Sequence, residues 1–296
     1  MKQFFQEIDK KIYFISFAIV GMMIVSLIFI PNGVSALITT AYHFCINQCG
    51  WLYIVVNVFC FGLFFYFYFG KYGNIKFGKP EDKPRFSTFS WATMIFTSGA
   101  GSSTVILGFV EPIYYLKTTP FHVKPMSNEA FEFAHMIGQY HWGLSAWVFY
   151  IPAAVAIGYM LYCRKSDDMK LSNTLTPLFG KHFKHSVFGK IIDIVVVFGI
   201  IASITTSLGL AVPVMSKLIA QVFGIADGTG LRILVFVIWF CIFGWSVFRG
   251  LDRGIKQLTN LNMWIIFLFL LVMAVLFPFS HICEMELNSI GLYIEK

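Results

Sequence analysis

Apolar residues in this chain fall into seven long runs, and almost every charge lies between them. The runs cover 12–30, 51–69, 89–116, 138–162, 190–221, 231–248 and 258–280. A helix needs about 20 apolar residues to cross the hydrocarbon core of a bilayer, and each run supplies close to that or more. Of the 296 residues, 57% are hydrophobic and only 12% charged. A water-soluble domain carries about a quarter charged residues and could not cover this much apolar surface. The pattern predicts an all-α, polytopic membrane protein with seven transmembrane helices.

Lys and Arg then set the direction of crossing. With the N-terminus in the cytoplasm, 17 of the 22 basic residues lie inside and 5 outside. That bias predicts a multi-pass protein of the plasma (bacterial inner) membrane, N-terminus cytoplasmic and C-terminus out. Lys2, Lys10 and Lys11 precede the first run, but that run is long for a secretion signal. Only Val34-Ser35-Ala36 offers a weak cleavage site, so the run reads as a retained span. The net charge of +7 is accounted for by this topology and does not imply a nucleic-acid partner. The six cysteines show no CxxC or Cys/His zinc spacing and read as unpaired thiols.

Two spans carry unusual chemistry. Ser98-Gly99-Ala100-Gly101-Ser102-Ser103 interrupts the third, and two glycines there make local unwinding cheap. Backbone groups freed inside a membrane must be buried in protein or turned toward a ligand. Two uses of the stretch stay open: close helix packing through small residues, and a midplane binding site of a secondary transporter. In the fourth run, Trp142, Trp147 and Tyr150 fall within about 140° of arc if the helix is continuous. Such a face could be an interfacial aromatic belt, or a cage for a quaternary ammonium held by cation–π attraction. Glu111, near the outer end of the third span, and Asp193, near the inner start of the fifth, read as capping or pairing carboxylates. His43, His135 and His141 do not form a metal-ligand pattern, and neither HExxH nor GxSxG occurs. An enzyme is therefore not expected, and no catalytic or metal-binding residue is assigned.

Several of these segments together resemble the betaine/choline/carnitine transporter family. Phe89-Ser90-Trp91, the glycine stretch and Glu111-Pro112-Ile113-Tyr114-Tyr115 are similar to its third span. His141-Trp142-Gly143-Leu144 with Trp147 and Tyr150 resembles its fourth. Asp193, Thr206-Ser207-Leu208-Gly209-Leu210 and the stretch from Gly254-Ile255-Lys256 to Asn260-Leu261-Asn262-Met263-Trp264 resemble its fifth and seventh.

The resemblance implies a LeuT-like fold: two accessory helices with a cytoplasmic loop over 1–88, a first five-helix repeat over 89–280, and an outer tail over 281–296. It implies transport of trimethylammonium compounds (glycine betaine, choline or carnitine), symport or antiport by alternating access, and a homotrimer. It places Trp142, Trp147 and Tyr150 in the aromatic box, and Gly99, Ala100, Gly101, Ser102 and Ser103 in the unwound substrate-contacting segment. No cofactor is implied beyond Na+ as a coupling ion, with Thr97 and Ala100 among its ligands. The family's paired threonines of the fifth span correspond to Ile200 and Ile204 here, so Thr205 or Thr206 would have to substitute. No carboxylate follows the second glycine, which does not favour proton coupling.

The resemblance also implies a second inverted repeat, for which these 296 residues are expected to be too few. The expectation is a truncated secondary transporter. One half of a split transporter, completed by another chain, and a non-transporting membrane scaffold are the alternatives.

Overall fold

The computed structural model describes residues 9–99, 102–120, 122–250 and 254–295, leaving aside the side chains of 102–105. All regular structure among the described residues is helical. In chain order the main helices are α1 (Lys10–Phe29), α2 (Pro31–Asn47), α3 (Gly50–Phe69), α4 (Thr88–Gly99), α5 (Ser102–Lys117), α6 (Asn128–Trp142), α7 (Leu144–Trp147), α8 (Tyr150–Gly158), α9 (Thr176–Phe179), α10 (Val187–Phe223), α11 (Thr229–Arg249), α12 (Lys256–Leu276) and α13 (Phe279–Glu295). Among the described residues, six stretches are long and apolar enough to cross a membrane: α1, α3, Asn128–Cys163, α10, α11 and α12. Most of their side chains are exposed, as a lipid-facing surface requires.

In the third run the described residues are helical over Thr88–Gly99 and Ser102–Lys117, with Ala100 and Gly101 outside the described residues. Two features differ from the expected layout. Residues 31–47, between two apolar runs, are helical because Pro31 at the first position presets the backbone of α2. Most of the segment expected as a tail over 281–296 is helical, within the 17-residue α13 (Phe279–Glu295).

The chain divides into two compact units. The first holds residues up to Asp82 together with Leu144–Ser203. Here the segment after α8 folds as a π-turn (Tyr159–Cys163), a 3-10 turn (Leu171–Leu175), α9 and a second 3-10 turn (Phe183–His185). Gly180 makes the reversal after α9 with φ +91°, a conformation most side chains resist. Gly158 lets the Phe77 ring approach: a Cβ there would lie 2.7 Å from it, and Phe77 stacks on Tyr162 at 6.5 Å.

The same loop is tied to both neighbouring spans. Asp193, buried near the start of α10, accepts hydrogen bonds from the Ser172 N–H (3.0 Å) and Oγ (2.7 Å). Lys170 meets Asp9, the N-cap of α1, at 2.9 Å, and Lys184 meets Asp168 at 3.2 Å. The hydrogen bond from Lys170 holds the Asp9 carboxyl below its ordinary range, against a smaller opposing effect of burial. For Lys170 burial works to lower the pKa, but the Asp9 hydrogen bond and charge, with Asp168 and Asp193 behind, outweigh it and raise it.

A depressed carboxylate stabilises above its unfolded pKa and loses that contribution as pH falls through the folded value. A raised amine stabilises below its unfolded pKa and loses that contribution as pH rises through the folded one. This pair therefore contributes evenly from about pH 4 to pH 10. Asp9→Asn is expected to lower the melting temperature by about 2 °C, equally at pH 5 and pH 9, since a half-exposed pair is worth about 1 kcal/mol at most. A difference that changes with pH inside that window would refute the assignment.

The second unit holds Lys83–Gly143 and the chain from Ile204 onward. Ser87 starts α4 by accepting from the Ser90 N–H (3.3 Å), and Ser127 starts α6 by accepting from Ala130 (3.2 Å). The face of α6 bearing Ala130, Phe133, Met136 and Ile137 is buried with Val123 against Tyr115, Leu116, Leu292 and Tyr293. This apolar seam holds α13 on α6, and the His135 ring nitrogen pairs with the Ser289 hydroxyl beside it. The α4 and α12 helices are joined by a hydrogen bond from the Thr93 hydroxyl to Asn260 Oδ1 (2.8 Å) and by the Phe89 and Trp264 rings.

Candidate functional site

Glycine controls where the fourth span breaks. The α6 helix ends at Trp142, and Gly143 follows in an extended conformation (φ −92°, ψ −150°). After it come the single turn α7 and then α8. The reading of 138–162 as one continuous helix is thereby corrected, and with it the common arc assigned to Trp142, Trp147 and Tyr150. A helical wheel does not carry across an extended residue.

The aromatic residues on either side of the break have different surroundings. Trp147 and Tyr150 lie ring to ring, 5.7 Å between centroids at 31°, and both are exposed. Aromatic faces of this kind can attract a cation without a carboxylate. Trp142 instead donates its indole N–H to Glu111 Oε2 at 3.3 Å, and His141 Nδ1 lies 3.3 Å from the same oxygen. Tyr115, one turn after Glu111, packs edge-on against the His141 ring. Glu111 thus serves as the pairing carboxylate the sequence suggested, with Trp142 and His141 as its partners.

The break itself is supported from α3. Asn57, a lone polar residue in the run Trp51 to Phe69, donates from its side-chain amide to the Ser145 carbonyl at 2.7 Å. The Asn57 amide thus brings a side-chain donor to a backbone carbonyl inside an apolar run, where a polar contact has to be met by protein. No role was assigned to Asn57 from the sequence, and Asn260 entered only within a family motif, although an amide inside an apolar run is a legible signal.

The glycine stretch is described at its edges. The α4 helix ends at Gly99 and α5 begins at Ser102, while Ala100 and Gly101 lie outside the described residues, as do the side chains of Ser102 and Ser103. Just before the stretch, the Thr97 hydroxyl is buried with no hydrogen-bond partner among the described residues. Thr205 and Thr206 sit at exposed positions within α10, and so do Ile200 and Ile204. The described cysteines are all free thiols. No group of three His, Cys, Asp or Glu side chains converges as a metal site among the described residues.

The family model described as BCCT, betaine/carnitine/choline family transporter, matches residues 11–296. The chain belongs to this family. It is also 31% identical over 287 residues to the glycine betaine transporter OpuD of Bacillus subtilis (strain 168). The match covers 97% of this chain and 56% of that protein, so the chain spans about half the length of the curated relative it matches. A BCCT member with six long apolar helices is a multi-pass membrane protein of the betaine/choline/carnitine transporter type.

Proposed function

We propose that the chain provides the first part of a secondary transporter for trimethylammonium compounds, with glycine betaine the leading substrate. The observation carrying this reading is the family match over residues 11–296, together with 31% identity to a glycine betaine transporter. In this reading the methylated cation rests on the faces of Trp147 and Tyr150, with Trp142 as a third wall. Gly99, Ala100, Gly101, Ser102 and Ser103 contribute backbone groups to the same substrate. The relative's additional length supports a transporting unit with a second part beyond these residues, from the same or another chain. Assembly as a homotrimer belongs to the same proposal and is tested by cross-linking in membranes.

Na+ is the proposed coupling ion, and Thr97 fits an oxygen-donor site: its buried hydroxyl oxygen has no protein partner among the described residues. Ala100 would add a backbone carbonyl, and Thr205 or Thr206 would offer a hydroxyl from α10.

The proposed location is the bacterial inner membrane with the N-terminus cytoplasmic, as the Lys/Arg bias favours. Two contacts support treating α4 and α5 as one interrupted crossing. Asp9 meets Lys170, and Phe77 stacks on Tyr162, so each pair lies on one side of the membrane. Between Asp9 and Lys170 the long spans α1, α3 and Asn128–Cys163 number three. An even count needs one more crossing, and α4 with α5 supplies it.

The test is uptake of radiolabelled glycine betaine in cells lacking other betaine transporters, expressing the chain alone and with the sequence encoded downstream. Saturable, Na+-dependent uptake is expected, with apparent affinity weakened roughly tenfold or more by Trp147→Ala. Uptake indifferent to Trp147→Ala and Tyr150→Ala would remove the cage, and uptake indifferent to Na+ would remove the ion.

A further inference from the structure

The loop between Cys163 and Val187 is held where a membrane surface lies. Lys170 is fixed to Asp9 at the first turn of α1, and Ser172 is fixed to Asp193 near the first turn of α10. Both anchors sit at ends of apolar spans. The loop is therefore kept at the level where hydrocarbon gives way to headgroups.

The second half of this loop and the first turn of α10, residues 176–190, carry Lys181, Lys184 and Lys190, the imidazoles His182 and His185, and no carboxylate. Lys184 is engaged by Asp168, whereas Lys181, His182 and His185 are exposed. Between these basic groups stand Leu178, Phe179, Val187 and Phe188, each 65–77% exposed. Phe179 stacks on Phe183 at 4.9 Å, which stiffens the turn through Gly180. A protein surface in bulk water has no reason to hold four large apolar side chains out among lysines. A segment lying in a headgroup layer does: the apolar groups enter the acyl boundary and the lysines meet phosphates.

We propose that residues 176–190 form a charge-selective membrane-surface anchor that docks on anionic phospholipid headgroups of the adjacent leaflet. The occupant is chosen by charge complementarity. Lys181 and Lys190 are uncompensated within the segment, and a leaflet rich in negative headgroups attracts basic residues at its surface. A zwitterionic surface would accept the aromatic groups but gives the lysines no net attraction. The anchor is independent of the aromatic site, because its residues lie outside the proposed cage.

The test places a fluorescent label at Phe179→Cys in the full chain, with the six native cysteines replaced by serine or alanine. The protein is reconstituted in nanodiscs of phosphatidylcholine alone or with phosphatidylglycerol. In anionic discs the label's emission is expected to shift to the blue and to be quenched by lipids bearing a shallow nitroxide. Lys181→Gln with Lys190→Gln is expected to weaken this roughly fivefold per lysine, and high salt to act the same way. Lys181→Arg with Lys190→Arg should restore it, showing that charge and not local fold is read. Equal insertion in neutral and anionic discs, or a label that stays water-exposed in both, would overturn the proposal. The readout does not involve transport, so it stands or falls apart from the substrate reading.

Discussion

Replacing Asp193 by alanine is expected to release the loop 164–186 and to cost about 3 kcal/mol, the largest stability effect of a single polar change in the first unit. Asp193 is 4% exposed, and both its oxygens are committed: Oδ1 to the Ser172 N–H and Oδ2 to the Ser172 hydroxyl. Hydrogen bonds to a charged group are worth about 1.5–3 kcal/mol each. Their removal leaves a fully buried hydroxyl and N–H at Ser172 without an acceptor. The loss is not the full sum, because the carboxylate's own burial is costly and disappears with it. A cost near 3 kcal/mol raises the open population of the loop by roughly 150-fold.

Trypsin reads that population directly, since Lys170, Lys181 and Lys184 lie within the loop. Cleavage there should accelerate by two orders of magnitude in Asp193→Ala while cleavage elsewhere stays unchanged. Asp193→Asn keeps one acceptor oxygen and should fall in between. Unchanged cleavage in the alanine variant would mean that Asp193 does not hold the loop.

What the sequence displayed, and what it hid, follows from what each feature depends on. Span positions were legible because hydrocarbon demands a continuous apolar run, and that demand is local in the chain. The glycine stretch of the third run was legible as a weak point for the same reason: Gly99 and Gly101 weaken a helix wherever they stand. Gly143 was not, because a single glycine inside an apolar run is compatible with a continuous helix. Its extended conformation goes with support from Asn57, 88 residues away in sequence from Ser145. Asp193 was assigned to a pairing role, yet its partner Ser172 could not be read from sequence, since 21 residues and a folded loop separate them. The helical tail was hidden as well, because α13 is fixed by the seam it makes with α6, through Leu292 and Tyr293. Local signals are readable, whereas contacts between distant elements have to be seen.

The second large effect concerns Glu111, whose carboxylate meets the Trp142 indole and the His141 ring at the end of α6. Trp142 has two rotatable bonds, and the tie to Glu111 Oε2 at 3.3 Å selects one orientation of its indole. His141 at the same oxygen fixes the carboxylate in turn. Glu111→Ala removes the acceptor from this half-buried indole N–H and, with it, the constraint that Glu111 places on the ring's orientation. At about 1.5 kcal/mol or more for a bond to a charged acceptor, the cost is roughly tenfold in affinity for a ligand that needs that orientation.

On the proposed substrate reading, Glu111→Ala is therefore expected to raise KM for glycine betaine uptake about tenfold, with a smaller change in maximal rate. Near-ultraviolet circular dichroism of the tryptophans should change whether or not substrate is bound. Glu111→Gln keeps an oxygen to accept from the indole and should recover most of both signals. Substituting Trp142→Phe in a Glu111→Ala background should add little, because the two residues then act as one unit. Additive losses in that double variant would show that Glu111 acts on something other than Trp142. An altered dichroism signal with unaltered KM would place Trp142 outside the substrate's reach.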